Sequence, residues 1–129
     1  MNGIYKRLGV KVPEILLPVV GTDLTKWAVI ACDQYTSQPD YWEKVRDEVG
    51  QSPSTLELIF PEMYLKDDDR DTRIYNINKA MEHYLSQGIL VAQKPGFILV
   101  ERSTPHTASR KGLILAVDLE CYDYTVGSQ

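Results

Sequence analysis

The sequence predicts an α+β domain, with a small mixed sheet of about four or five strands and two main helices packed on it. Two stretches, 41–49 and 74–85, carry apolar residues at spacings of three and four. Such spacing lines one face of a helix. A third region, 97–122, contains two strand-like runs, the second alternating with a period of two. Alternate residues of a strand face one side of a sheet.

Residues 12–20 (VPEILLPVV) are apolar but interrupted by Pro13 and Pro18. Proline removes a ladder donor, so an edge strand or extended arm is expected. Residues 22–26 are a polar turn. The run 27–31 (WAVIA) is continuously apolar, which predicts a strand buried on both faces. A helix then follows, with Pro39 in its first turn and Gly50 as its stop. Tyr41 or Trp42, Val45 and Val49 share its apolar face, opposite Glu43, Lys44, Arg46, Asp47 and Glu48. Residues 51–65 are fenced by Pro53 and Pro61 and suit a short strand or an irregular apolar segment. The second helix follows an acidic cluster, Asp67, Asp68, Asp69 and Asp71, which complements the helix dipole. Ile74, Ile77, Met81, Tyr84 and Leu85 mark its buried face, and Gly88 ends it. Runs 97–103 and 113–122 predict a hairpin joined by the loop 104–112. In the second run Leu113, Leu115, Val117, Leu119 and Cys121 take one face. Ile114, Ala116, Asp118 and Glu120 take the other.

With 129 residues the chain suffices for one domain, spanning 1–129, with a modest core. A hydrophobic share of 43% and a charged share of 25% argue against disorder. The net charge of -4 supplies no basic face for nucleic acid, a class of partner it disfavours. Arg102, Arg110 and Lys111 are too few to make a patch. No apolar run approaches the roughly 20 residues that cross a bilayer, and the start lacks the apolar core of a signal peptide. The cytoplasm is therefore expected, with thiols reduced.

Cys32 and Asp33 close the apolar run, at the strand end where open α/β sheets place ligands. Asp33, with Gln34, Tyr35 and Thr36 beside it, has the chemistry to hold a proton, a metal or a hydroxyl. The plainer alternative makes Cys32 a small packed hydrophobe and Asp33 a turn cap, since no cation is near to activate the thiol. Cys32 and Cys121 with His83 and His106 have no zinc-ligand spacing, and a disulfide needs the two cysteines to meet in space. The run Asp67, Asp69, Asp71 is no calcium loop, because Thr72 and Asn78 stand where glycine and glutamate are required. No metal is assigned, and neither is a cofactor. His83 beside its helix's apolar face reads as structural. His106, with Thr104, Thr107, Ser109, Arg110 and Lys111, combines a base with anion-binding groups, as a polar hairpin loop also would. Asp118 and Glu120 are costly if covered and ordinary if solvated.

Three strings, ILLPVVGTDLTKWAVIACDQYTSQPDYWEKV, PSTLELIFPEMYL and GLILAVDLECYDYTVGSQ, occur in that order. In this the chain resembles the amino-terminal part of a bacterial family called domain of unknown function 1015. The resemblance implies that the chain is the amino-terminal fragment of a longer protein, and it brings no established activity. Some members are labelled as similar to ParB-type partition proteins, whose fold relatives include nucleotide-dependent and phosphoryl-transfer enzymes. By that relation, Gly127 and Ser128 would begin a phosphate-binding turn, although the helix and arginine that complete one are missing here. Cys32, Asp33 and Gln34 transfer as a family-like string without a known role. Two functional classes follow: a ligand- or phosphate-binding part of a larger protein, and a structural or interaction module that self-associates through exposed strand edges.

Overall fold

The computed structural model describes residues 3–121, 123 and 125. The fold is α+β, as the sequence predicts. Among the described residues, the strands form three two-stranded sheets where a single mixed sheet was expected. The chain divides into two compact units, one made of Leu17–Val91 and the other of Met1–Leu16 with Ala92–Gln129.

The unit Leu17–Val91 contains the helices α2 (Leu24–Trp27), α3 (Pro39–Val49) and α4 (Arg70–Ser86). It opens and closes on the strands β2 (Ile15–Pro18) and β3 (Leu90–Gln93), which pair as a sheet and carry the chain across the unit boundary. The helix α3 starts at Pro39 and stops at Gly50, as expected. Gly50 takes φ +57, a left-handed conformation that glycine adopts without a Cβ penalty. Trp42 and Val49 from its apolar face join Leu56 to form the core, with Val29, Ile30, Tyr41, Val45, Ile59 and Met63 packed against it. Trp42 is 2% exposed. Its indole Nε1 is buried without a hydrogen-bond partner among the described residues, so packing outweighs an unmade hydrogen bond there.

The expected strand at 27–31 does not form. Trp27 ends α2, and residues 28–31 run without regular structure. The cause is competition for backbone groups. The Trp27 carbonyl accepts from Thr55 Oγ1 at 2.7 Å and from Ser54 Oγ at 3.3 Å. The Cys32 carbonyl accepts from Glu62 N at 2.9 Å. With the carbonyls of Trp27, Ala31 and Cys32 occupied by side chains and turns, those groups are satisfied outside a ladder. Its apolar side chains still reach the core.

Residues 51–65 take the irregular alternative, with 3-10 turns at Thr55–Leu58 and Glu62–Tyr64. Ser54 caps the first by accepting from Leu56 N at 3.2 Å, and is itself fully buried. The Tyr84 hydroxyl of α4 accepts from Ser54 N at 2.9 Å and donates to Ser54 O at 3.2 Å. One phenol thus ties the connecting segment to the long helix. On α4 the buried stripe is narrower than the spacing implies. Tyr84 is buried and Ile77 and Met81 are half-buried, whereas Ile74 and Leu85 are 39% and 46% exposed.

The second unit holds α1 (Gly3–Arg7), β1 (Val10–Lys11), β4 (Ile98–Thr104), β5 (Thr107–Ile114) and β6 (Ala116–Val117). β1 and β6 pair antiparallel, Val10 with Val117 and Lys11 with Ala116. β4 and β5 form the antiparallel hairpin, with Ile98 opposite Ile114 and Leu99 opposite Leu113. The loop is shorter than expected: 107–112, read as loop, is strand, and the second strand ends at Ile114. Thr104 Oγ1 accepts from His106 N at 3.3 Å and from Thr107 N at 3.1 Å, which closes a tight turn at Pro105 and His106. Polar residues then enter the ladder, since Ser109 Oγ donates to Glu101 Oε1 at 2.7 Å. The alternating run 113–122 is broken after Ile114, and Leu119–Cys121 is a 3-10 turn.

Candidate functional site

The residues singled out by the sequence fall in separate places. Cys32, Asp33 and Gln34 form a turn in which Gln34 N donates to Ala31 O at 3.1 Å. The Cys32 thiol is free and half-buried, and its backbone anchors the Glu62 turn. Asp33 and Gln34 are exposed, joined by a hydrogen bond from Gln34 Nε2 to Asp33 Oδ1 at 3.2 Å. Next in sequence, Tyr35 has φ +53. That conformation is sparsely populated for a bulky residue. A stack of its ring on Tyr41, with centroids 3.9 Å apart, stabilises it.

His106 sits exposed at the tip of the β4–β5 turn in the other unit. Asp118 pairs with Lys11 Nζ at 2.9 Å, so this acidic residue is solvated and matched. The hydrogen bond from Lys11 holds its carboxyl below the usual range, with a smaller contribution from the Glu120 N–H. His83 is exposed on α4. Gly127 and Ser128 lie outside the described residues, as do Tyr122 and Tyr124.

Concave surface is found elsewhere in the unit Leu17–Val91. A cleft of about 110 Å³ lies between α3, the segment 56–64 and α4. Its floor is apolar, from Leu56, Ile59, Phe60, Pro61 and Ile77, and its polar rim includes Arg46, Arg73, Asn76, Tyr64 and Glu57. Arg73 has its guanidinium carbon over the Tyr64 ring, 3.9 Å from the centroid, and donates from Nε to Asp69 at 2.9 Å. That hydrogen bond raises the guanidinium's pKa above its ordinary value. Arg46 is held only by a 4.0 Å approach to Glu57. A wider cleft of about 460 Å³ adjoins, lined by Gln51, Ser52, His83 and Tyr84 and sharing Arg46, Leu56 and Glu57 with the first. The sequence reading missed both. Helical spacing marks the buried side of α3 and α4, whereas Arg46 and Arg73 belong to rows that read as solvated surface.

No group of three or more His, Cys, Asp or Glu side chains among the described residues is placed to hold a metal. No described helix is long and apolar enough to cross a membrane.

These features define an α+β protein whose concave sites are amphipathic clefts beside exposed turns. Residues 16–126 match the family described as Protein of unknown function (DUF1015), and the chain belongs to that family. Neither the curated proteins nor the solved structures contain a match.

Proposed function

We propose that the chain is an interaction module that pairs with a second copy of itself through the β4–β5 hairpin. The carrying observation is that all eight residues of β5 are exposed, Leu113 by 59% and Ile114 by 51%. Leu99, the cross-strand partner of Leu113, is 70% exposed, and Ile98, opposite Ile114, is half-buried. A two-stranded hairpin alone is marginal in water. Among the described residues neither outer edge of this sheet pairs with another strand. Unpaired edge N–H and C=O groups template the addition of a strand. A second copy brings the same unpaired edge, so one isologous contact satisfies both. Charge is mixed along the ladder, with Glu101 opposite Lys111 but Arg102 opposite Arg110, so the basic surplus makes the contact tighten as salt rises.

Sedimentation equilibrium tests this directly. The full chain is expected to show a concentration-dependent dimer, and Leu99→Lys or Leu113→Lys to sediment as folded monomers. A chain that stays monomeric at every soluble concentration overturns the reading.

A second reading keeps the ligand site at Cys32, Asp33 and Gln34, and is favoured by the unusual backbone of Tyr35 beside them. Nucleotides, divalent metals and phosphate are the compounds to screen by thermal shift, because a bound compound raises the midpoint by mass action. Equal responses from the natural chain and Asp33→Asn would remove this site. A cytoplasmic setting suits either reading, as the Cys32 thiol is free.

A further inference from the structure

The small cleft between α3 and α4 has the composition of a ligand site. We infer that it binds a compact monocarboxylate with an apolar body, held between Arg46 and Arg73. The inference does not depend on the hairpin.

Size sets the first limit. An apolar cavity of about 150 Å³ holds benzene, so a cleft of about 110 Å³ open at one side takes a ring or short branched chain whose head projects. Drug-sized ligands and nucleotides need roughly 300 Å³ or more. Five apolar side chains form the floor, which favours a hydrocarbon body over a hydrated ion such as free phosphate.

Charge sets the second. Two guanidinium groups and one carboxylate line the cleft. Arg73 engages Asp69 through Nε and sits over the Tyr64 ring, so it is held at two points and its Nη atoms remain as donors. A fixed guanidinium fork suits a carboxylate, whose two oxygens accept a pair of N–H groups. Arg46 lies 4.0 Å from Glu57, beyond hydrogen-bond range. It can turn to an incoming carboxylate without breaking a hydrogen bond. The Asn76 amide offers a further donor at the same rim. Glu57 disfavours an anion, and the sign of its effect makes it diagnostic.

Benzoate is the probe, with benzamide as its neutral counterpart of the same shape. Calorimetric titration of the full chain should show benzoate binding at least about tenfold tighter than benzamide, the discrimination one charge-assisted pair supplies. Methyl resonances of Ile59 and Ile77 should move with benzoate. Arg46→Gln, at an exposed position, should weaken benzoate about tenfold without loss of folding, whereas Glu57→Gln should strengthen it. Equal binding of benzoate and benzamide, no binding of either, or an unchanged affinity in Arg46→Gln overturns the inference.

Discussion

The unit Leu17–Val91 encloses a core, and the described part of the unit formed by the two chain ends does not, although both expose large apolar residues. Trp42, Val49, Leu56, Tyr84 and Leu90, the buried hydrophobic residues among those described, all belong to the first. In the second, Leu8, Leu99, Leu113, Ile114 and Leu119 are each more than half exposed. The difference lies in the elements. Two amphipathic helices and a pinned connecting segment enclose a core, because a helix turns every third or fourth side chain inward. A two-stranded hairpin has two faces, and the exposed side chains of this one stay wet until a partner covers them. Stability in the first unit comes from burial, and in the second from ladder hydrogen bonds, one aromatic contact between Tyr5 and Phe97, and the Lys11–Asp118 pair.

Substitutions can break or sharpen that contrast. The largest effect belongs to Trp42→Ala, which empties the core centre and should cost about 3–5 kcal/mol in denaturant unfolding. A cost under about 1 kcal/mol would show that the core does not depend on this ring. Tyr84→Phe comes next. It leaves the buried Ser54 N–H without its phenol acceptor and should cost about 1–3 kcal/mol, with faster amide exchange at Ser54 as the local readout. In the other unit, Leu99→Ala should change the unfolding of the monomer by no more than about 0.5 kcal/mol. A larger loss would mean that the hairpin is packed, and the contrast would fail.

The smallest effect concerns acid. Asp118 has its pKa lowered in the folded chain, first by the Lys11 hydrogen bond. Its stabilising contribution is complete above the unfolded value of about 3.9 and is lost as pH falls through the lower folded value. In Lys11→Gln the Asp118 titration followed by NMR should move upward. An unmoved titration would show that the pair does not set it.

The two helices were legible because their signals are local. Pro39 opens a helix, Gly50 and Gly88 close theirs, and spacing marks Trp42, Val49 and Tyr84 as inward. The tight turn at His106 was hidden, since the polar run 107–112 reads as loop and becomes strand only by pairing with β4 across a turn that the Thr104 hydroxyl closes. The strand expected at 27–31 failed for a non-local reason: Ser54 and Thr55, more than twenty residues away, occupy the Trp27 carbonyl. At the small cleft, Arg46 and Arg73 looked like ordinary solvated charges. Their common rim exists only after α3 and α4 pack on the segment between them.

Sequence alone determined the α+β class and the two helices, because periodicity and end signals act over a few residues of backbone. Tertiary structure decided which carbonyls were left for ladders, where the concave surface lies, and that the apolar hairpin stands uncovered. Those outcomes depend on which distant groups meet, and hydrogen bonds once formed between them exclude the alternatives that local preference favours.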